Sequence, residues 1–260
     1  MNRKMNIIVI SAFFAACWST IGFNVAAQEV NNSGSDQSTL GSTSVRQNAG
    51  QQNFDELKRE MLLKWPNNRL VRFVFHGHSV PAGYFRGGQV RRFDSYPILF
   101  HQQLCELYPT AVIDVCTTAI GGENSKRGSR RFADEVLTLN PDVIFIDYCL
   151  NDRAIGVEAA HQYWRTMIEQ ALNNSVKVVL LTPTPDSHED ILDPETKLAK
   201  HSESVRSLGK EYGLPVVDSY ELFRQLVAEG ADVSDYLSQP NHPNRKGHQL
   251  VAERIVQLLQ

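Results

Sequence analysis

Cysteine is scarce in this chain, and neither sign of charge dominates. Four cysteines occur in 260 residues, and one of them, Cys17, sits in an apolar stretch at the start. The other three, Cys105, Cys116 and Cys149, are an odd set, which argues against a full disulfide framework and leaves room for one pair. Their spacing matches no metal-binding or redox motif, so the reading is three small buried hydrophobes. The 26 basic residues are offset by 29 acidic ones, a formal net charge of −3. No basic field is therefore offered to nucleic acid.

The start of the chain reads as an export signal. Residues 1–27 carry Arg3 and Lys4, then an uncharged apolar stretch, then small residues at Val25-Ala26-Ala27. That is the layout of a secretory signal peptide. Two alternatives share its consequence. Ile7 to Ala27 is nearly long enough to stay as a membrane anchor, and Phe14-Ala15-Ala16-Cys17 loosely resembles a lipoprotein cleavage box with Phe in place of Leu. All three export the remainder of the chain, and cleavage leaves no stable membrane insertion. Residues 28–52 are mostly Ser, Gly, Gln and Asn. They bury too little to offset their ordering entropy and read as a flexible linker. Residues 53–260 suit one domain.

Within that domain short apolar runs alternate with longer amphipathic ones. Strands are expected at 71–75, 111–116, 142–149, 177–183 and 215–219, each rich in Val and Ile and nearly continuous. Continuous rather than alternating apolar runs mark parallel strands covered on both faces. Helical patterns fall at 93–107, 126–138, 155–173, 195–211, 219–229 and 244–259. The rhythm predicts a three-layer α/β/α sandwich on a five-stranded parallel sheet, a flavodoxin-like arrangement. Such sheets bind ligands beyond the carboxyl ends of their strands. Polar clusters occur at those ends: Ser79 in HGHSVPAGYF, Gly121 and Gly122 in AIGGENS, Asn151 and Asp152 in CLND. The segment NHPNRKGH, 241–248, opens the last helix.

These four blocks, in this order over residues 71–260, resemble the SGNH hydrolase superfamily, the GDSL-like lipases and esterases. The resemblance implies Ser79 as nucleophile and His242 as its base. It also implies an oxyanion hole built from the Ser79 amide, Gly122 and the Asn151 side chain. A serine hydroxyl is weakly nucleophilic until a base takes its proton. The charge that grows on the carbonyl oxygen needs donors already in place. No cofactor and no metal are expected for this chemistry.

Two positions depart from the family pattern. The Asp of Gly-Asp-Ser is His78 here, read as a residue that shapes the turn. His76 and His78 are sequence neighbours of Ser79, yet His242 matches the base. Three residues before His242 the family's orienting Asp is Gln239. Asp235 or Asp232 is a candidate replacement; Gln239 itself or a backbone carbonyl, leaving a Ser–His dyad, is another. Asp152 and Asp218 read as helix caps. His248 is read as packing beneath the site.

The substrate is read from the rim. Tyr84, Phe85, Arg86 and Arg153, with the loop TPTPDSHEDILDPET (182–196), suit a sugar ring or an anionic group; ordinary core aromatics and solvated charge are the competing reading. No long apolar cap insertion builds an acyl-chain tunnel. An exported esterase acting on short acyl groups, acetyl on carbohydrate foremost, is the preferred expectation. A lipase or lysophospholipase, an acyltransferase with the same Ser and His, and a non-catalytic glycan-binding domain are the alternatives. The oligomeric state is not legible.

Overall fold

The computed structural model describes residues 53–260. The signal-peptide and linker readings lie outside the described residues. Helix α1 (Asp55–Leu62) precedes strand β1 (Leu70–Gly77), which runs into a one-turn helix α2 (Ser79–Ala82). Then come α3 (Tyr96–Leu107), β2 (Val112–Thr117), α4 (Ser125–Glu135), β3 (Val143–Asp147) and a short α5 (Cys149–Asp152). The chain continues through α6 (Val157–Asn173), β4 (Lys177–Leu181), α7 (Lys197–Tyr212), β5 (Val216–Val217) and α8 (Ser219–Ala228). A hairpin of β6 (Leu237–Gln239) and β7 (His242–Pro243) leads into α9 (Arg245–Val256).

Strands β1 to β5 form one sheet in the order β2-β1-β3-β4-β5, and every pair is parallel. The order reverses between β1 and β3. In such sheets that reversal opens a crevice at the carboxyl ends. Side chains alternate across the strands and feed two apolar layers. Phe73, Phe75, Val143, Phe145, Val179 and Leu181 pack with α1, α3, α8 and α9. Val74, Ile144, Ile146, Val178 and Leu180 face the other way, against Phe132 of α4, Trp164 of α6 and Leu208 of α7. The Phe75 and Phe145 rings stack at 4.3 Å on neighbouring strands, directly beneath the reversal. This is the three-layer α/β/α sandwich expected, with all five strands in place.

The differences are local and have causes. The third strand stops at Asp147 rather than Cys149, because Tyr148 leaves extended backbone (φ −133°, ψ −9°) and Cys149 opens α5. The fifth strand keeps two residues of the five expected, since Asp218 caps α8 through the Glu221 amide. The hairpin β6–β7 and the short helices α1, α2 and α5 have patterns too brief for periodicity to reveal. The cysteines are also a correction. All three are free, but only Cys149 is buried; Cys116 is half-buried and Cys105 exposed. Cys105 lies on the outer side of α3, where an apolar period does not require a buried residue.

Candidate active site

Every block singled out by sequence lands at the carboxyl end of the sheet. Gly77 closes β1 so near β3 that a Cβ there would lie 2.4 Å from the Asp147 carbonyl oxygen. Only glycine tolerates that approach. His78 then caps α2, its Nδ1 accepting the Val80 amide at 3.2 Å. Ser79 is the first helical residue, so its own amide has no partner within the helix. The serine hydroxyl is thus aimed off the sheet end by a strand, a cap and one helical turn.

His242 reaches Ser79 from the far end of the chain. Its Nε2 lies 2.7 Å from Ser79 Oγ, and both residues are only 8% exposed. The ring is carried on β7, directly before α9. Asn244 caps that helix through the Gly247 amide. The rim loop steadies the hairpin, because the Ser187 amide donates to the Pro240 carbonyl at 2.8 Å. Burial pushes the His242 imidazole down to about 4, helped by neighbouring His78 and opposed by Asp186. The ring is therefore neutral at neutral pH, and the nitrogen that carries its single proton decides whether Nε2 can act as base.

The two residues expected as oxyanion donors follow β2 and β3, at the same end of the sheet as Ser79. Gly122 has φ +75°, and a Cβ built there would meet nothing within 4 Å. Its glycine is required by left-handed backbone rather than by close approach. Among the described residues the Ser79 and Gly122 amides donate to no other group. Asn151 Nδ2 donates to the Glu123 carbonyl at 2.9 Å, which uses one of its two hydrogens and leaves the other. The loop bearing Gly122 is fastened beneath. Arg131 holds Glu123 with Nε 3.1 and 3.0 Å from the two carboxylate oxygens. Tyr148 donates to the same carboxylate at 3.0 Å, with His76 Nε2 3.0 Å from the Tyr148 hydroxyl. Burial, then the Glu123 charge, raises the Tyr148 phenol well above its ordinary range.

The neighbouring histidines take other tasks. His76 Nδ1 sits 2.8 Å from Thr118 Oγ1, within the layer below. His78 Nε2 points to β3, 3.2 Å from Asp147 Oδ1, and Tyr96 donates to the other oxygen of that carboxylate at 2.9 Å. His248 is fully buried between Phe85 and Tyr96, its Nδ1 accepting the Tyr96 amide at 3.2 Å. Packing beneath the site is the role expected of it. Asp152 is not a cap but a buried cross-brace. It accepts the Ser125 amide at 2.7 Å and Trp164 Nε1 at 2.7 Å, tying α5 to α4 and α6. Burial raises its carboxyl above the ordinary value.

Among the described residues no carboxylate meets His242 Nδ1. Asp232 caps the Ser234 amide instead. Two side-chain amides hold the position. Gln239 Nε2 and Asn241 Oδ1 each lie 2.7 Å from Nδ1. The family pattern points to an acid three or more residues upstream and so passes over Asn241. Its one signal in the sequence is an acceptor oxygen directly beside the histidine. Arg153 is a further correction. Its guanidinium is spent on Asp186 at 2.8 Å and Glu189 at 2.6 Å, so it anchors the rim loop rather than facing a ligand. Phe85 is likewise core, 4% exposed, whereas Tyr84 is half-buried against Gly121 and Arg86 is exposed.

Among the described residues no group of three or more His, Cys, Asp or Glu could hold a metal ion. None of their helices is long and apolar enough to cross a membrane. Residues 75–250 match the model of the GDSL-like Lipase/Acylhydrolase family. The uncharacterized lipoprotein YqeF of Bacillus subtilis strain 168 is 26% identical over 177 residues, 55% of this chain and 72% of that protein. The acetyl xylan esterase AlAXEase superposes with a TM-score of 0.61 at 19% identity, covering 72% of this chain and 98% of its own. Axe2, an acetylxylan esterase from Geobacillus stearothermophilus, gives 0.62 at 17% identity, over 73% of this chain and 94% of that one. A two-domain esterase active on acetylated mannans gives 0.62 at 20%, over 82% of this chain and 55% of that one. At such identities the solved structures establish the shared fold.

Proposed function

Because the chain belongs to the GDSL-like lipase/acylhydrolase family, and is thus a serine hydrolase, we propose that it is an exported esterase removing short acyl groups, acetyl foremost, from carbohydrate. The observation that carries the reading is the 2.7 Å approach of His242 Nε2 to Ser79 Oγ. In this reading Ser79 attacks the ester carbonyl while its proton passes to His242 Nε2. Negative charge moves to the carbonyl oxygen, where the amides of Ser79 and Gly122 and the second hydrogen of Asn151 Nδ2 receive it. His242 returns the proton to the departing alkoxide as the tetrahedral species collapses. Water, deprotonated by the same nitrogen, then cleaves the acyl-serine and frees the acid.

Carbohydrate acetyl esters are favoured by two considerations. Three of the solved relatives are esterases of acetylated xylan or mannan by name. The loops over the sheet end also carry no apolar insertion to house a long acyl chain. Export is supported by the leader and by a relative described as a lipoprotein. The test is steady-state turnover of p-nitrophenyl acetate and acetylated xylo-oligosaccharides by wild type and Ser79→Ala. We expect kcat to fall at least about a hundredfold in the variant. Equal rates would overturn the reading. Product analysis with excess sugar acceptor separates hydrolysis from acyl transfer.

A further inference from the structure

We propose that the side-chain oxygen of Asn241 takes the place of the absent acid, accepting the Nδ1 proton of His242 and so fixing the tautomer that activates Ser79. The inference rests on the esterase reading above and names a positioning residue for it.

Proton count decides which tautomer the site can use. Nδ1 faces Asn241 Oδ1 and Gln239 Nε2, each at 2.7 Å. A neutral imidazole carries one N–H, so Nδ1 either donates or accepts. An amide oxygen accepts only, and it demands a proton on Nδ1. That leaves the Nε2 lone pair directed at Ser79 Oγ, 2.7 Å away, ready to take the hydroxyl proton. An amide nitrogen donates only, and it demands the reverse. The proton would then sit on Nε2, facing the serine, and the imidazole could not act as base. The two amides as placed thus ask for opposite tautomers.

Turning either amide removes the conflict, and only the Gln239 turn leaves Nε2 free to serve Ser79, as the esterase reading requires. Turning the Gln239 amide end for end exchanges its oxygen and nitrogen with almost no change of shape. Both oxygens then accept from one Nδ1–H, and His242 is held in the productive form. Asp186, the carboxylate whose charge acts on His242, is already engaged. Asp186 accepts from Arg153 at 2.8 Å and from the His188 amide at 3.0 Å, and His188 Nδ1 lies 2.9 Å from it. Neutral oxygens orient the ring as a carboxylate would but do not neutralise the imidazolium formed when the Ser79 proton arrives. The dyad is therefore correctly aligned and weakly basic, and a carboxylate in either amide's position should strengthen it.

The proposal is tested on the full chain. The ¹⁵N spectrum of His242 at neutral pH is expected to show a protonated Nδ1 and a bare Nε2; the opposite tautomer overturns it. In turnover of p-nitrophenyl acetate, Asn241→Ala should lower kcat about tenfold or more, while Asn241→Asp restores or exceeds wild-type kcat. Gln239→Asp should raise kcat and move the acid limb of kcat/KM to higher pH, since a carboxylate favours the imidazolium. The groups that face His242 in that titration are His78, His248 and Asp186, the last with Arg153 and His188 attached. An Asn241→Ala enzyme within twofold of wild type, with the tautomer unchanged, overturns the proposal. Ser79→Ala turning over as fast as wild type would instead remove the esterase reading, while the spectrum still decides the tautomer.

Discussion

Asn151 has two donor hydrogens and, at rest, one occupied acceptor, the Glu123 carbonyl at 2.9 Å. That bond fixes the amide plane, and in the proposed mechanism the second hydrogen then needs no reorganisation as charge develops. Asn151→Ala should lower kcat by about 10²–10³ with little change in KM, as for loss of one oxyanion donor. Steady-state kinetics on p-nitrophenyl acetate check this; a change confined to KM would mean Asn151 only binds. The residues of this site were unevenly legible in sequence. Ser79, Gly122, Asn151 and His242 are proposed from the order of four blocks, although each alone resembles a turn or cap. Asn241 and the rerouting of Arg153 to Asp186 and Glu189 are marked by no such order. Arg153 and Asp186 lie 33 residues apart, and Asn241 matters only through the direction its amide takes. No local pattern encodes which way such side chains point.

The loop carrying Gly122 owes its shape to a buried polar cluster rather than to apolar packing. Glu123, 2% exposed, is gripped by Arg131 of α4 and receives the Tyr148 hydroxyl from the end of β3. Removing one partner of a buried ion pair strands the other, at a cost of about 3–5 kcal/mol. Glu123→Ala should therefore lower unfolding stability in urea by about 3 kcal/mol and also reduce kcat, because the Asn151 anchor sits on the same residue. Retained stability with reduced kcat would show the cluster to be a local brace of the loop only. Periodicity located α4 within a residue at its start, where Asn124 caps the Arg127 amide. It gave no hint of β6–β7, whose strands of three and two residues are shorter than any pattern. The hairpin that presents His242 was consequently the least legible element of the site.

Four histidines, His76, His201, His242 and His248, are buried enough to be pushed from 6.5 down to about 3, 4, 4 and 3. Burial is the leading cause in each. An unfolded chain binds protons at these rings below about pH 6.5, whereas the folded chain refuses them until about pH 4 or 3. Stability is thus fully present above about pH 6.5, declines as pH falls, and levels off only below the folded values. The melting temperature at about pH 4.5 should lie well below that at about pH 7.5, and equal values would contradict the burial of these rings. At this scale the sequence was most informative. Five continuous Val/Ile runs and the helices between them sufficed for the sheet and both apolar layers, because parallel strands covered on two faces leave a pattern that no loop detail disturbs. The central claim, that Ser79 forms an acyl-enzyme, has a direct measurement. Acid-quenched wild-type protein, sampled during turnover of p-nitrophenyl acetate, should carry one acetyl group on Ser79 by peptide mass spectrometry, and Ser79→Ala should carry none. Acetyl absent under steady turnover, or found on another residue that the Ser79→Ala protein still labels, would contradict the account.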